Sequence, residues 1–319
     1  MKKRRRFHER LGLVSGSRTM TAYKLAKLSF WLNRFRTLPR AKRLFSNAKR
    51  GTLLERKLFG YDFFCDVSRS GPQATLFLEG ERSVPEARLV KSLLQPGFHV
   101  VDAGANIGYY VLLFAQMIGP TGSVIAIEPS PENLSELYMN INRNRLTGVI
   151  KVIDSAVGNR SDFVGLRTGI NSGVTTRDNS AYTVRMNTLD EIITGPVDFI
   201  KIDVEGYEYF VLEGALRILR ERRPILFLEV HPAELASLGL SATAVIRKLK
   251  MFYSNISLFY LNPERGLTQK IYRRYLGHHR ILKVLDVDAF LNAARDSAPF
   301  WAVCKPSGAN IFVGSRPRP

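Results

Sequence analysis

An α/β fold, a mostly parallel sheet with helices on both faces, is the class this sequence predicts. Three observations predict it. Short apolar runs alternate with helix-length segments from residue 98 to residue 230. The run Val100-Val101-Asp102 turns through Ala103-Gly104-Ala105-Asn106-Ile107-Gly108 into a helix, a strand-to-helix turn typical of nucleoside-binding domains. Asp102, Glu128, Asp154, Asp203 and Glu229 all fall at expected carboxyl ends of strands, where ligands of an open parallel sheet sit.

Taken in order, Lys57 to Asp66 and Thr75 to Glu79 alternate as strands, and Val84 to Leu94 reads as a helix stopped by Pro96-Gly97. Strand 98–102, helix 107–117, strand 123–127, helix 131–143 and strand 149–153 follow. Pro131 and Glu132 suit a helix start, where proline is tolerated and an acid meets the positive end of the dipole. Asn187 to Ile193 is a short helix or turn, 197–203 a strand, 206–220 its helix and 224–230 the next strand. Ala242 to Phe252 reads as helix and Ile256 to Leu261 as strand, with Phe300 to Lys305 and Asn310 to Val313 as antiparallel closing strands. Gly169 to Thr175 is either a loop over an acceptor or a plain surface connection, and the basic stretch Gln269 to Arg280 a surface loop or helix.

At 319 residues the chain accommodates one large α/β domain with extensions. Residues 1–57 carry 18 Lys and Arg against Glu9 and Glu55, so nearly all of the formal +19 lies there. Residues 1–54 are read as a basic amphipathic extension, with Leu25, Leu28, Leu32 and Phe35 at helical spacing beside Lys24, Lys27, Arg34 and Arg36. Peripheral contact of residues 1–50 with an anionic membrane surface and packing on the body or on a second subunit stand level as expectations. Nucleic-acid contact and organelle targeting are the lesser readings. Two cysteines, Cys65 and Cys304, make no metal-thiolate or disulfide framework. With no apolar run near 18 residues and no secretory pattern, a cytoplasmic location is expected.

The turn discriminates between cofactors. A dinucleotide fingerprint would place a glycine where Asn106 stands, to let a pyrophosphate approach the backbone. S-adenosylmethionine has the adenosine without the phosphates, and D-x-G-x-N-x-G suits it better. Glu128 would accept from its ribose.

With these residues, the run Asp198-Phe199-Ile200-Lys201-Ile202-Asp203-Val204-Glu205-Gly206-Tyr207-Glu208 resembles the distinctive D-x-I-K-I-D-V-E-G-x-E of the FkbM family of methyltransferases. IEPSPEN at 127–133, VIDSAVGN at 152–159, NTLDEI at 187–192 and RPILFLEVHP at 223–232 extend the resemblance to roughly residues 55–262. It implies a class I, Rossmann-like methyltransferase fold with a mostly parallel seven-stranded sheet. The methyltransferase domain is expected over residues 55–319, with an N-terminal strand/helix flank and C-terminal closing strands beyond the part the resemblance covers. The resemblance also implies S-adenosylmethionine as cofactor and O-methylation of a sugar, glycolipid, polyketide or similar small molecule. Transferred onto this chain, Asp102, Gly104, Asn106 and Gly108 would line the methionine end and Glu128 the ribose. Asp154 and Ser155 would stand at the adenine.

Methyl transfer from a sulfonium needs mainly alignment, which contributes on the order of 7–11 kcal/mol, and a base that adds about 100- to 10,000-fold. Asp203, Glu205 and His231 are the candidate catalytic groups. Asp203 is favoured by position and His231 by the ordinary imidazole pKa. Glu208 reads as a helix-start charge or an orienting partner. Asp203, Glu205 and Glu229 are oxygen donors of the kind hard cations take, but no dense ligand motif is present and no metal is expected. Two other functions compete: nucleic-acid methylation, disfavoured because the strand tip is IDVEGYE rather than N-P-P-Y-like, and a non-catalytic membrane-associated scaffold.

Overall fold

The computed structural model describes residues 51–69, 73, 76–77, 80, 86–167, 174–175, 180–261, 281–293 and 298–307. They fall into two units, one holding the described residues up to 80 and the other those from 86 onward. The basic arm, the stretch 269–280 and the strand expected at 310–313 lie outside the described residues, as does most of the 169–175 loop, of which Val174–Thr175 is a strand.

In the first unit β1 (Leu53–Leu58) and β2 (Tyr61–Asp66) pair antiparallel. Phe59 and Gly60 between them have φ of 52° and 82°, the two positive values that a tight two-residue hairpin turn requires. The strand expected over 57–66 therefore folds back on itself. Leu76 and Phe77, the described residues near the strand expected at 75–79, are helical instead.

The second unit opens with α1 (Ala87–Lys91), shorter than the helix expected there. Then come β3 (His99–Ala103), α2 (Tyr109–Ile118), β4 (Ser123–Glu128), α3 (Pro131–Arg143) and β5 (Ile150–Asp154), within two residues of expectation. Next are β6 (Ala156–Val157), β7 (Asp162–Leu166), β8 (Val174–Thr175), β9 (Tyr182–Asn187) and α4 (Leu189–Ile192). After β10 (Phe199–Ile202) the expected single helix is two, α5 (Glu208–Glu213) and α6 (Leu216–Glu221). The chain continues through β11 (Ile225–Val230), α7 (Pro232–Ser237), α8 (Ala242–Lys250), β12 (Asn255–Leu261), β13 (Ile281–Lys283), α9 (Val287–Ala293) and β14 (Phe300–Lys305).

The break between α5 and α6 has a tertiary cause. The Asp190 carboxylate accepts from the backbone N–H groups of Arg217 (2.8 Å) and Ile218 (3.0 Å), capping α6 from a distant segment. The Gly214 carbonyl is turned to accept from Asp190 N at 2.9 Å. Local spacing carries no sign of this.

The main sheet runs β13-β12-β14-β11-β10-β3-β4-β5. β11, β10, β3, β4 and β5 are parallel and β14 lies antiparallel between β11 and β12. The edge strand β13 makes eight where seven were expected. A second sheet, β6-β9-β7-β8, was not anticipated; its strands are short and half-exposed, a weak sequence signal. Alternation along the parallel strands sends side chains to both faces. Ile200, Ile202, Leu226 and Leu228 pack with Val211, Leu212, Ile218 and Leu219 of α5 and α6. On the opposite face Phe199 meets Phe114 of α2 at 5.7 Å between ring centroids. Among the described residues no helix is long and apolar enough to cross a membrane.

Phe199 is fully buried, so Phe199→Ala is expected to lower stability by about 3–5 kcal/mol through lost burial and the cavity left behind, measured by urea unfolding.

Candidate active site

Strand order reverses at β3, whose neighbours β4 and β10 continue the chain in opposite directions across the sheet. The crevice of such a fold lies beyond these carboxyl ends. The turn after β3 is held by backbone and by Glu128. Gly104 N and Ala105 N both donate to the Ile127 carbonyl at 3.0 Å. Asn106 N donates to Glu128 Oε2 at 2.8 Å, while Ser130 N (2.9 Å) and Asn133 Nδ2 (3.0 Å) donate to Oε1. Glu128 is buried and its pKa is raised by that burial, against these three hydrogen bonds. Asn140, buried on α3, donates to the Ile107 carbonyl at 2.8 Å and ties the same turn to the helix. Gly108 then caps α2.

Gly104 joins the two motifs. Its φ is 90°, and a Cβ there would stand 1.8 Å from the Asp203 carbonyl oxygen. Only glycine lets the turn after β3 pass across the end of β10. Asp203 N in turn donates to the Ala103 carbonyl at 3.0 Å.

Parallel register pairs Lys201 with Asp102. The ammonium, 1% exposed, lies 3.3 Å from Asp102 Oδ1 and 3.2 Å from Asp203 Oδ2, and 4.7 Å from the centre of the Tyr110 ring. Burial opposes its charge, but Asp102, Asp203 and Glu229 more than compensate and hold it well above the usual lysine value. Asp102 is completely buried; desolvation lifts it to about 6 against the pull of Lys201. Asp102 thus faces an internal ion pair rather than the crevice surface, and neither of its oxygens makes a hydrogen bond. Close by, Tyr110 donates to Glu86 at 3.1 Å, and desolvation raises Glu86 to about 7.

Beyond Asp203 the chain turns sharply at Glu205 (φ 51°) and Gly206 (φ 98°), where a Cβ on Gly206 would meet Glu234 Cβ at 2.4 Å. This turn and the end of β11 surround His231. Its Nδ1 is 2.7 Å from Glu208 Oε1, the same oxygen that accepts from Gly206 N at 2.8 Å. Its Nε2 lies 3.5 Å from Glu205 Oε2 and 3.9 Å from both Asp203 Oδ1 and Glu229 Oε1. Burial alone would lower the imidazole pKa, yet the Glu208 hydrogen bond and the surrounding carboxylates push it up to about 10. The surrounding carboxylates thus favour the protonated imidazole, the opposite of what burial alone would do. Desolvation raises Glu205 to about 7 against His231, and raises Glu229 with the help of Asp203 and Glu86.

The structure therefore brings Asp203, Glu205 and His231 together, and sets Gly104 against Asp203. Asn106, Gly108 and Glu128 form one clamped turn. Asp154 is exposed, paired in register with Glu128, and Ser155 after it is buried with an Oγ that has no hydrogen-bond partner. Lys201, Tyr110 and Glu86 were absent from the sequence reading of the site. The lysine sits inside the recognised run, and its alternation with Asp203 was the available signal. Glu208 proves to be the orienting partner.

The model of the methyltransferase FkbM domain matches residues 102–251. This segment is an FkbM methyltransferase domain. The FkbM match begins at Asp102 and so takes in every residue of the site except Glu86. The 31-O-demethyl-FK506 methyltransferase FkbM of Streptomyces tacrolimicus is 32% identical over 158 residues, covering 38% of this chain and 60% of that protein. A protein-L-isoaspartate O-methyltransferase of Triticum aestivum is 38% identical over 63 residues, 20% of this chain and 27% of that one. The chain thus spans at most 60% of the length of these curated relatives. A solved FkbM methyltransferase from Methylobacillus flagellatus KT aligns at 20% identity and a TM-score of 0.37, over 72% of this chain and 56% of that one.

Lys201→Met would strand two carboxylates and is expected to cost about 3–5 kcal/mol in chemical denaturation. Adding Asp102→Asn should recover part of the loss, because the charge most deeply buried is then gone too.

Proposed function

We propose that this protein is an S-adenosylmethionine-dependent O-methyltransferase whose acceptor is a hydroxyl of a sugar, glycolipid, polyketide or similar small molecule. The observation that carries the reading is the contact of the cofactor turn with the catalytic strand tip. Gly104 and Asp203 touch through backbone, so a methyl donor on the turn would lie beside Asp203, Glu205 and His231.

The residues present fit such a cofactor. Ser155 offers a buried hydroxyl without a partner at the expected adenine end. A carboxylate has about four acceptor positions, and Glu128 uses three on its own fold, leaving one toward a ribose hydroxyl. The turn itself, Gly104 to Gly108, would hold the amino-acid end, with Asp102 acting from behind through Lys201. S-adenosylmethionine supplies, when bound, a methyl group already activated by its sulfonium. The protein then has to hold an acceptor oxygen in line, exclude water and draw off a proton. Asp203 and Glu205, partly exposed at the strand tip, face the acceptor side, and His231 fixes their spacing.

Calorimetric titration of the full chain with S-adenosylmethionine should show binding, and Glu128→Ala should abolish it. Ser155→Ala removes a hydroxyl that no protein group uses and is expected to weaken binding by about 0.5–1.5 kcal/mol with unchanged unfolding. Asp203→Asn should keep cofactor affinity but lose transfer of a labelled methyl group to an acceptor in cell extract. Absence of binding by the wild-type chain would instead favour the scaffold reading.

A further inference from the structure

The carboxylate group around His231 contains an arrangement that methyl transfer from a sulfonium does not by itself require. Glu208 is fully buried and grips Nδ1 at 2.7 Å, which turns Nε2 toward Asp203, Glu205 and Glu229. His231 is 4% exposed, and Nε2 makes no hydrogen bond to any described residue. Glu205 Oε2 is buried and likewise without a hydrogen-bond partner. One atom each from Asp203, Glu205 and His231 lies within 4.8 Å of the other two. Ligands held about 2.1–2.3 Å from one octahedral ion stand roughly 3.0–3.3 Å apart when adjacent and about 4.2–4.6 Å when opposite. The separations of 3.5 and 3.9 Å lie between these limits.

Charge points the same way. Four carboxylates, from Asp203, Glu205, Glu208 and Glu229, come within 4 Å of a single imidazole. Lys201, which also reaches Asp203, is shared between that residue and Asp102. A carboxylate on one ring nitrogen with the other nitrogen presented to further acids is the outer-shell pattern that orients metal-binding histidines.

We propose that Asp203, Glu205 and His231 bind a divalent first-row cation of the Mn2+ type, with Glu208 as the positioning residue behind His231. One imidazole with two carboxylates suits such a borderline ion better than an all-oxygen site would. The cation takes the place of a proton on Nε2. The inference rests on the methyltransferase reading and adds to it an acceptor class: a hydroxyl able to enter the ion's coordination beside Asp203. In that step the acceptor O–H bond releases its proton to the Glu229 carboxylate, which stands beside the three proposed ligands without being one of them. The oxygen lone pair forms the new C–O bond as the carbon–sulfur bond breaks, and the departing electron pair stays on sulfur.

Mn2+ titrated into chelator-stripped full chain should lose its free-ion electron paramagnetic resonance signal at one ion per chain. His231→Ala and the partly exposed Glu205→Gln should each weaken this uptake by about tenfold or more, and Glu208→Gln by about 10- to 100-fold, in samples whose circular dichroism matches wild type. No uptake by wild type, or uptake unchanged in both Glu205→Gln and His231→Ala, overturns the site. Calorimetry with S-adenosylmethionine on the same samples keeps the two readings apart. Cofactor binding without Mn2+ uptake rejects the cation alone, whereas loss of cofactor binding rejects the methyltransferase reading.

Discussion

The passage of the Gly104 backbone across the Asp203 carbonyl is the constraint on which the site depends. It brings the turn that follows β3 and the tip of β10 closer than any side chain would permit, and both strands are central and parallel, so neither end is free to drift. Everything with chemistry then hangs from this junction. Glu128 clamps the turn from β4, Lys201 reaches under it from β10, and Glu205 and Gly206 redirect the chain toward His231.

Electrostatics gives the junction its character. Acids gather at the ends of β3, β10 and β11 in a region largely closed to water, where isolated carboxylates are costly. Among the described residues two basic groups offset this, each shared. Lys201 serves Asp102 and Asp203, and His231 is ringed by the remaining acids. The compensation is incomplete, and the upward displacement of Asp102, Glu205 and Glu229 is its physical trace. Such a surplus of negative charge beside the turn after β3 is poised to take up protons or a cation.

Much of the fold was legible because its signals are local. Parallel strands buried on both faces read as apolar runs, and Pro131 with Glu132 marks the start of α3. The split between α5 and α6 was not, since the residue that caps α6 is Asp190, brought there by tertiary packing. The β6-β9-β7-β8 sheet escaped for a different reason: two of its strands have two residues each, too few to establish a period.

By itself the sequence determined the class of fold, the order of its central elements and the membership of Asp102, Gly104, Glu128, Asp203, Glu205 and His231 in one locality. Those properties follow from residue spacing along strands and from turns that only glycine accommodates. The tertiary structure alone decided which acid faces which cation. It turned Asp102 inward to Lys201, made Glu208 the holder of His231, and raised the pKa of His231 above that of an isolated imidazole. Protonation and pairing depend on burial and on distances of a few ångströms between segments remote in sequence, and no local pattern encodes these.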